Sequence, residues 1–374
     1  MTPTVDVVLD ELLADLRALV ECESPSSDLA AVAASADLVA RLGTARLGVE
    51  PERITVDRCS HLRWRLGSRE QSGRVVIVAH HDTVWPHGTL ETHPYSIVDG
   101  VLRGPGCFDM LAGLVMAWHA VAGLPSSDGV TILVTGDEEI GSPTSRALIE
   151  DEARGARAAL VLEASAEGGA LKTGRKGTSM YEVRITGRAA HAGLEPHKGV
   201  NASVELSHQV LAVLGLGDAE QGTTVTPTLA QSGTTLNTVP AEASFGIDVR
   251  AWSLAELERV DAAVRALTPR LDGATIEILG GINRPPLEES ASSALYRRAV
   301  AVAERLGLPV PGATSVGGAS DGNFTAGVGT PTLDGLGAVG GGAHADDEHL
   351  LVDRLVDRTL LVRGLLADLL EERP

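Results

Sequence analysis

The sequence predicts an α/β protein: a mostly parallel sheet with helices on both faces, interrupted by an inserted α+β unit. Three observations carry this. Short apolar runs at 75–79, 130–134 and 158–162 have the unbroken hydrophobicity of strands buried on both faces. Stretches of helical spacing alternate with them, the pattern that builds a parallel sheet. From about Lys176 the order changes to β-α-β-β-α-β, the ferredoxin-like arrangement.

The elements follow in order. Val8, Leu12, Leu13, Leu16, Leu19 and Val20 form one helical stripe, ended by Ser24-Pro25-Ser26-Ser27, and a second helix is expected over 30–42. After the first strand, a Gly104-Pro105-Gly106 turn leads into a helix over 111–122. The strand at 130–134 precedes a helix near 145–153 and the strand at 158–162. Residues 180–186 alternate as a half-buried strand does, then a helix over 201–214, strands near 224–231 and 242–250, a helix near 254–267 and a strand near 275–279. Helices at 291–306 and 352–370 return the chain to the first domain. The expected division is 1–176 and 288–374 for one domain, with 177–287 inserted in it.

The 374 residues suffice for two domains. A net charge of −19 argues against nucleic acid or an anionic membrane as partner. No apolar run approaches the length of a membrane span, and Met1–Asp6 lacks the basic and apolar regions of a signal peptide. Cys22, Cys59 and Cys107 are too few for a disulfide framework, so a reduced, cytoplasmic protein is expected.

The chemistry collects at strand ends, where open α/β sheets place their sites. His80 and Asp82 follow the first strand, Glu138 and Glu139 the second and Glu163 the third, with Asp109 in the Gly-Pro-Gly turn. Carboxylates with imidazole suit Zn²⁺ and similar divalent ions. In extended chain, residues i and i+2 share a face, so Asp82 can orient the His80 ring while His81 points away. The segment Glu138-Glu139 reads as extended just past a strand end, so the two side chains point to opposite sides, one to hold an ion and one to face a water. His344, in a glycine-rich loop, is a further candidate, whereas Asp346, Asp347 and Glu348 read as a solvated turn. His61, His87, His93, His119, His197 and His208 read as ordinary core or surface residues, and the 335–343 tract lacks a P-loop pattern.

Six segments now share an order: Ala79-His80-His81-Asp82-Thr83-Val84, Gly104-Pro105-Gly106-Cys107-Phe108-Asp109-Met110, Asp137-Glu138-Glu139-Ile140-Gly141-Ser142, Glu163, Gly187-Arg188-Ala189-Ala190-His191-Ala192-Gly193 and Ala343-His344. Together they resemble the M20 family of metallopeptidases, most nearly its glutamate carboxypeptidase branch, over nearly the whole chain. The resemblance implies a zinc-peptidase catalytic domain with an inserted lid and dimerisation domain, and two Zn²⁺ per subunit, with Co²⁺ or Mn²⁺ left open. It implies that Asp109 bridges the ions, that His80 and Glu163 complete one and Glu139 and His344 the other, and that Asp82 supports His80. Glu138 would be the general base, and His191 would reach a neighbouring subunit's site in a homodimer. Asn237, Arg250, Arg284 and Gly318 match substrate-binding positions, and the Asp109–Met110 peptide would be cis. Leu111 departs from the lysine common there. The implied substrate is a small peptide or N-acyl amino acid with a free carboxylate. An N-acyl amino acid deacylase of the acetylornithine or succinyl-diaminopimelate type shares every catalytic residue. A catalytically silent binding protein on the same fold would be expected to have lost Glu138 or a ligand.

Overall fold

The computed structural model describes residues 7–371, so the opening Met1–Asp6 lies outside the described residues. The chain forms two compact units. One takes the described residues up to Gly174, Leu287–Val316 and those from Ser320 onward; the other takes Arg175–Pro286 with Gly317–Ala319.

The first unit is built on a six-stranded sheet. Its order is Glu52–Val56, Cys59–Arg65, Val130–Thr135, Val75–His80, Ala158–Val161 and Thr332–Leu333. The last four strands run parallel: the three predicted ones, and Thr332–Leu333, which the sequence reading did not identify. The first two form an antiparallel hairpin that the sequence reading did not identify. There, Ile54, Leu62 and Trp64 alternate with arginines, and the buried residues of the second strand include the polar His61, so no continuous apolar run marks the strands.

Successive residues of the central strands enter different packing layers. Val75, Ile77 and Ala79 join the main core with the helices Leu9–Val20, Ala112–Ala122 and Leu355–Glu371, while Val76 and Val78 pack on the opposite face. On that opposite face Leu133, the partner of Val78, packs with Ile149 and Phe324 of the helices Arg146–Ala153 and Gly322–Gly327, so helices cover both faces of the sheet. The helix Ala112–Ala122 passes so close to the next layer that a Cβ on Gly113 would stand 1.9 Å from the Leu162 carbonyl oxygen. Only glycine permits that approach, and the same helix follows directly on the turn that carries Asp109.

Register sets the site. His80 pairs with Thr135, and Val78 with Val161, so His80 and Glu163 leave the sheet at one level, just short of Asp137-Glu138-Glu139.

Apart from the paired two-residue strands Ala190–His191 and Thr238–Val239, the second unit has the order β-α-β-β-α-β. Its antiparallel sheet runs Thr224–Ser232, Glu242–Ala251, Gly177–Thr186, Thr275–Arg284. Tyr181, Val183 and Ile185 pack with Phe245, Ile247, Val249, Leu257 and Val260 beneath the helices Ala202–Leu214 and Leu254–Arg265. Asn201 and Ser253 cap those helices through side-chain oxygens. The last strand runs on to Arg284 rather than ending near 279, so Arg284 lies at a strand end. Among the described residues no helix is long and apolar enough to cross a membrane.

Candidate metal centre

Five segments of the first unit bring acidic and imidazole groups together. His80 is the last residue of its strand, and Glu163 lies two residues past Val161. Both are buried. Glu138 and Glu139 are not extended, as the sequence reading took them to be; Glu138–Ile140 is a short 3₁₀ turn. Their side chains still diverge, because successive residues of such a turn are about 120° apart. Glu138 groups with His80 and Glu163, whereas Glu139 groups with His80 and Asp109, the ligand atoms of each set lying within 4.8 Å of one another.

Asp109 sits between the two histidines. Its Oδ1 is 3.7 Å from His80 Nε2, and its Oδ2 is 3.4 Å from His344 Nε2. His80 Nε2 is also 3.7 Å from Glu163 Oε1, and His344 Nε2 is 3.0 Å from Glu139 Oε2. One carboxylate thus presents one oxygen to each side. The buried atoms His80 Nε2 and Glu139 Oε1 make no hydrogen bond. Orphaned buried groups are uncommon, and pairs of ligand atoms 3.4–3.7 Å apart leave room for a cation between them. The donor set of two imidazoles and carboxylates therefore fits divalent metal ions.

The electrostatics agree. Burial alone would depress His80, yet Asp109 and Asp82 hold its imidazole well above the usual range. Asp109 and Glu139 push His344 up to about 10. Burial opposes ionisation of Asp109, but His344 and His80 outweigh it and hold the carboxyl well below its usual range. Burial raises Glu139 despite its bond to His344. This pocket favours positive charge, whether proton or metal.

The supporting contacts refine the expected role of Asp82. His80 Nδ1 is 2.9 Å from the main-chain carbonyl of Asp82, closer than the 3.4 Å to its carboxylate. The carboxylate accepts from Ser26 Oγ at 2.6 Å and from the backbone N–H of Glu138 and Glu139, each at 3.3 Å. Asp82 therefore joins the His80 strand end to the Glu138–Ile140 turn. Asp137 accepts from Thr144 and Ser145, and Asp321 from Thr135 and Ser142, which fix the flanks of that turn. His81 points away, between Ser35 Oγ and the Ser60 carbonyl. Cys59, His61 and Asp137 form a third cluster, but its members are hydrogen-bonded: His61 Nδ1 accepts from the Gly136 N–H, and its Nε2 meets Thr144 Oγ1 at 3.0 Å.

The Asp109–Met110 peptide is cis, as the resemblance implies. Asp346 and Asp347 are exposed, as read from the sequence, but Glu348 is not a solvated residue. It is 4% exposed, and its carboxylate accepts from the N–H groups of Gly106, Phe108 and Asp109 and from Trp85 Nε1. Backbone donors leave no trace in residue type, so a carboxylate just ahead of the apolar Leu350-Leu351 was the one available signal.

The remaining candidates belong to the second unit. His191 is exposed on a two-residue strand, its Nδ1 accepting from Gly193 and Leu194 N–H. Asn237 is exposed, and its carbonyl accepts from Ala192 N–H. Arg250 pairs with Asp248 at 2.9 Å and donates to the Gly317 carbonyl. Arg284 is buried at its strand end, and the Gly318 carbonyl accepts from Arg175.

Level strand ends, joined by the Asp109 turn and the His344 loop, gather mixed carboxylate and imidazole groups into a candidate divalent-metal centre at one edge of an α/β sheet. The chain belongs to peptidase family M20/M25/M40, whose profile matches residues 76–368. It is 31% identical over 308 residues to carboxypeptidase G2 of Pseudomonas sp. (strain RS-16), covering 79% of this chain and 74% of that protein. It is 28% identical to succinyl-diaminopimelate desuccinylase of Thioalkalivibrio sulfidiphilus (strain HL-EbGR7), covering 88% and 92% of the two chains. The fold matches the M20 family metallo-carboxypeptidase Sso-CP2 of Sulfolobus solfataricus, with a TM-score of 0.74, 16% identity and coverage of 96% and 99%.

Proposed function

We propose that this metallohydrolase is a di-zinc enzyme that cleaves the amide bond to an amino acid bearing a free carboxylate. The observation that carries the reading is Asp109, with one oxygen turned to His80 and the other to His344. His80 and Glu163 would hold one ion, Glu139 and His344 the other, with Asp109 shared; Co²⁺ or Mn²⁺ could replace zinc. Bound ions supply Lewis acidity for the attacking water and the scissile carbonyl.

The chain's own groups do the rest. Glu138, buried and fixed by its N–H bond to Asp82, takes the proton of the attacking water and delivers it to the leaving amine. His191, reaching the site of a neighbouring subunit in a homodimer, meets the negative charge that grows on the carbonyl oxygen. Arg250 and Arg284 read the substrate carboxylate, with Asn237 and the Gly318 backbone as further contacts. The second unit serves as lid and dimerisation domain. Free cysteines are consistent with a reduced, cytoplasmic setting.

The desuccinylase relative favours a second reading, removal of an acyl group from an amino acid's nitrogen. A panel of dipeptides and N-acyl amino acids separates the two by which class turns over faster. Amidating the substrate's free carboxylate should lower kcat/KM by about 100-fold, since charged donors would lose their partner. Equal hydrolysis of acid and amide would remove the carboxylate from the account.

A further inference from the structure

We propose that Glu348 is a positioning residue for the metal centre, clamping the Asp109 turn to the His344 loop. The proposal rests on reading Asp109 and His344 as metal ligands. The two arrive on loops far apart in sequence, and neither follows a strand of the main sheet.

A small second sheet brings the loops together. His349–Leu351 pairs with Val101–Arg103 on one side and with Gly340–Gly341 on the other. A Cβ on Gly340 would stand 2.0 Å from the His349 carbonyl oxygen, so the two strands close tightly at the base of the His344 loop. Because His349 pairs with Arg103, Glu348 faces the turn that begins at Gly104.

Glu348 uses both oxygens there. Oε1 accepts from the N–H groups of Phe108 at 2.9 Å and Asp109 at 3.0 Å. Oε2 accepts from the Gly106 N–H at 2.9 Å and from Trp85 Nε1 at 2.7 Å. Burying a carboxylate is costly, and four donors offset that cost. With two donors on each oxygen, the group is placed as a clamp rather than as a ligand.

The coupling runs both ways. The Asp109 backbone is held at its own N–H, which limits where its carboxylate can point. On the other side, the Ala345 N–H donates to the Gly342 carbonyl and the Glu348 N–H to the Ala345 carbonyl, so the loop from His344 to Glu348 is closed by turns. Arg103 adds a bond to the Asp347 carbonyl. A shift of Glu348 would therefore move His344 and Asp109 relative to one another.

Glutamine cannot replace this glutamate. Whichever way the amide is turned, its NH₂ group meets two N–H donors. The test uses full-length protein, stripped of metal and reloaded with Co²⁺, with chelator competition for the dissociation constant and the visible cobalt spectrum for ligand geometry. Glu348→Gln should raise the dissociation constant about 10- to 100-fold and alter the spectrum. Trp85→Phe removes one donor and should raise it about fivefold, the worth of one ordinary hydrogen bond. Asp15→Asn, a destabilising change away from the centre, should lower Tm yet keep the wild-type constant and spectrum. A Glu348→Gln protein with wild-type affinity and spectrum would overturn the proposal. Should that variant fail to fold, a Trp85→Phe protein with wild-type affinity overturns it equally. Wild-type protein that takes up no cobalt would instead overturn the ligand assignment beneath the proposal.

Discussion

Two clusters in the first unit each set carboxylate against imidazole, Asp15 facing His119 and Asp109 facing His80 and the more exposed His344, and they are spaced differently. At Asp15, His119 Nε2 lies 2.9 Å and Arg46 Nε 2.7 Å from one carboxylate oxygen. Each contact there is a direct hydrogen bond. At Asp109, the two imidazole nitrogens stand 3.4 and 3.7 Å away, and His80 Nε2 has no hydrogen bond although it is buried. Spacing about the central carboxylate distinguishes the finished ion pair at Asp15 from the ligands held apart around Asp109, although His344 Nε2 also reaches Glu139 Oε2 at 3.0 Å. Residue types alone would not separate the two.

The largest expected effect concerns a group at the edge of the second cluster. Glu138→Gln should lower kcat by about 10³–10⁴-fold while metal content stays at the wild-type level, since Glu138 is assigned as base and not as ligand. Metal analysis beside single-turnover kinetics checks both halves. Near-normal turnover, or loss of metal, would break the assignment.

A smaller effect belongs to the first cluster. Burial pushes the Asp15 carboxyl up, but bonds from His119 and Arg46 outweigh it and hold the group below its usual range. A carboxyl with a depressed folded-state pKa contributes stability above its unfolded value of about 3.9, and that contribution is lost as pH falls through the folded value. Asp15→Asn should therefore cost about 2–3 kcal/mol at pH 7. The gap to wild type should shrink in acid below about pH 4, as followed by chemical denaturation. A constant gap from pH 7 to pH 3 would mean that the carboxylate charge contributes little.

What the sequence made legible follows the same physics. Strands buried on both faces advertise themselves as apolar runs, so His80, Glu139 and Glu163 could be placed at their ends. The hairpin Glu52–Val56 and Cys59–Arg65 was missed because its alternating arginines look like surface. The Glu138–Ile140 turn reads as extended from the sequence because Gly136 and Gly141 allow either course. Glu348 was missed because three of its four partners are backbone N–H groups, which every non-proline residue carries. Its buried position depends on a pairing between residues 101–103 and 349–351, separated by some 250 positions that composition does not link.

Equilibrium metal titration of the stripped protein, read as ions bound per chain, tests the central claim most directly. The account predicts two divalent ions per wild-type chain and fewer than two for Asp109→Ala, because both ions share that carboxylate. A single ion in the wild type, or two ions undiminished in Asp109→Ala, would contradict it.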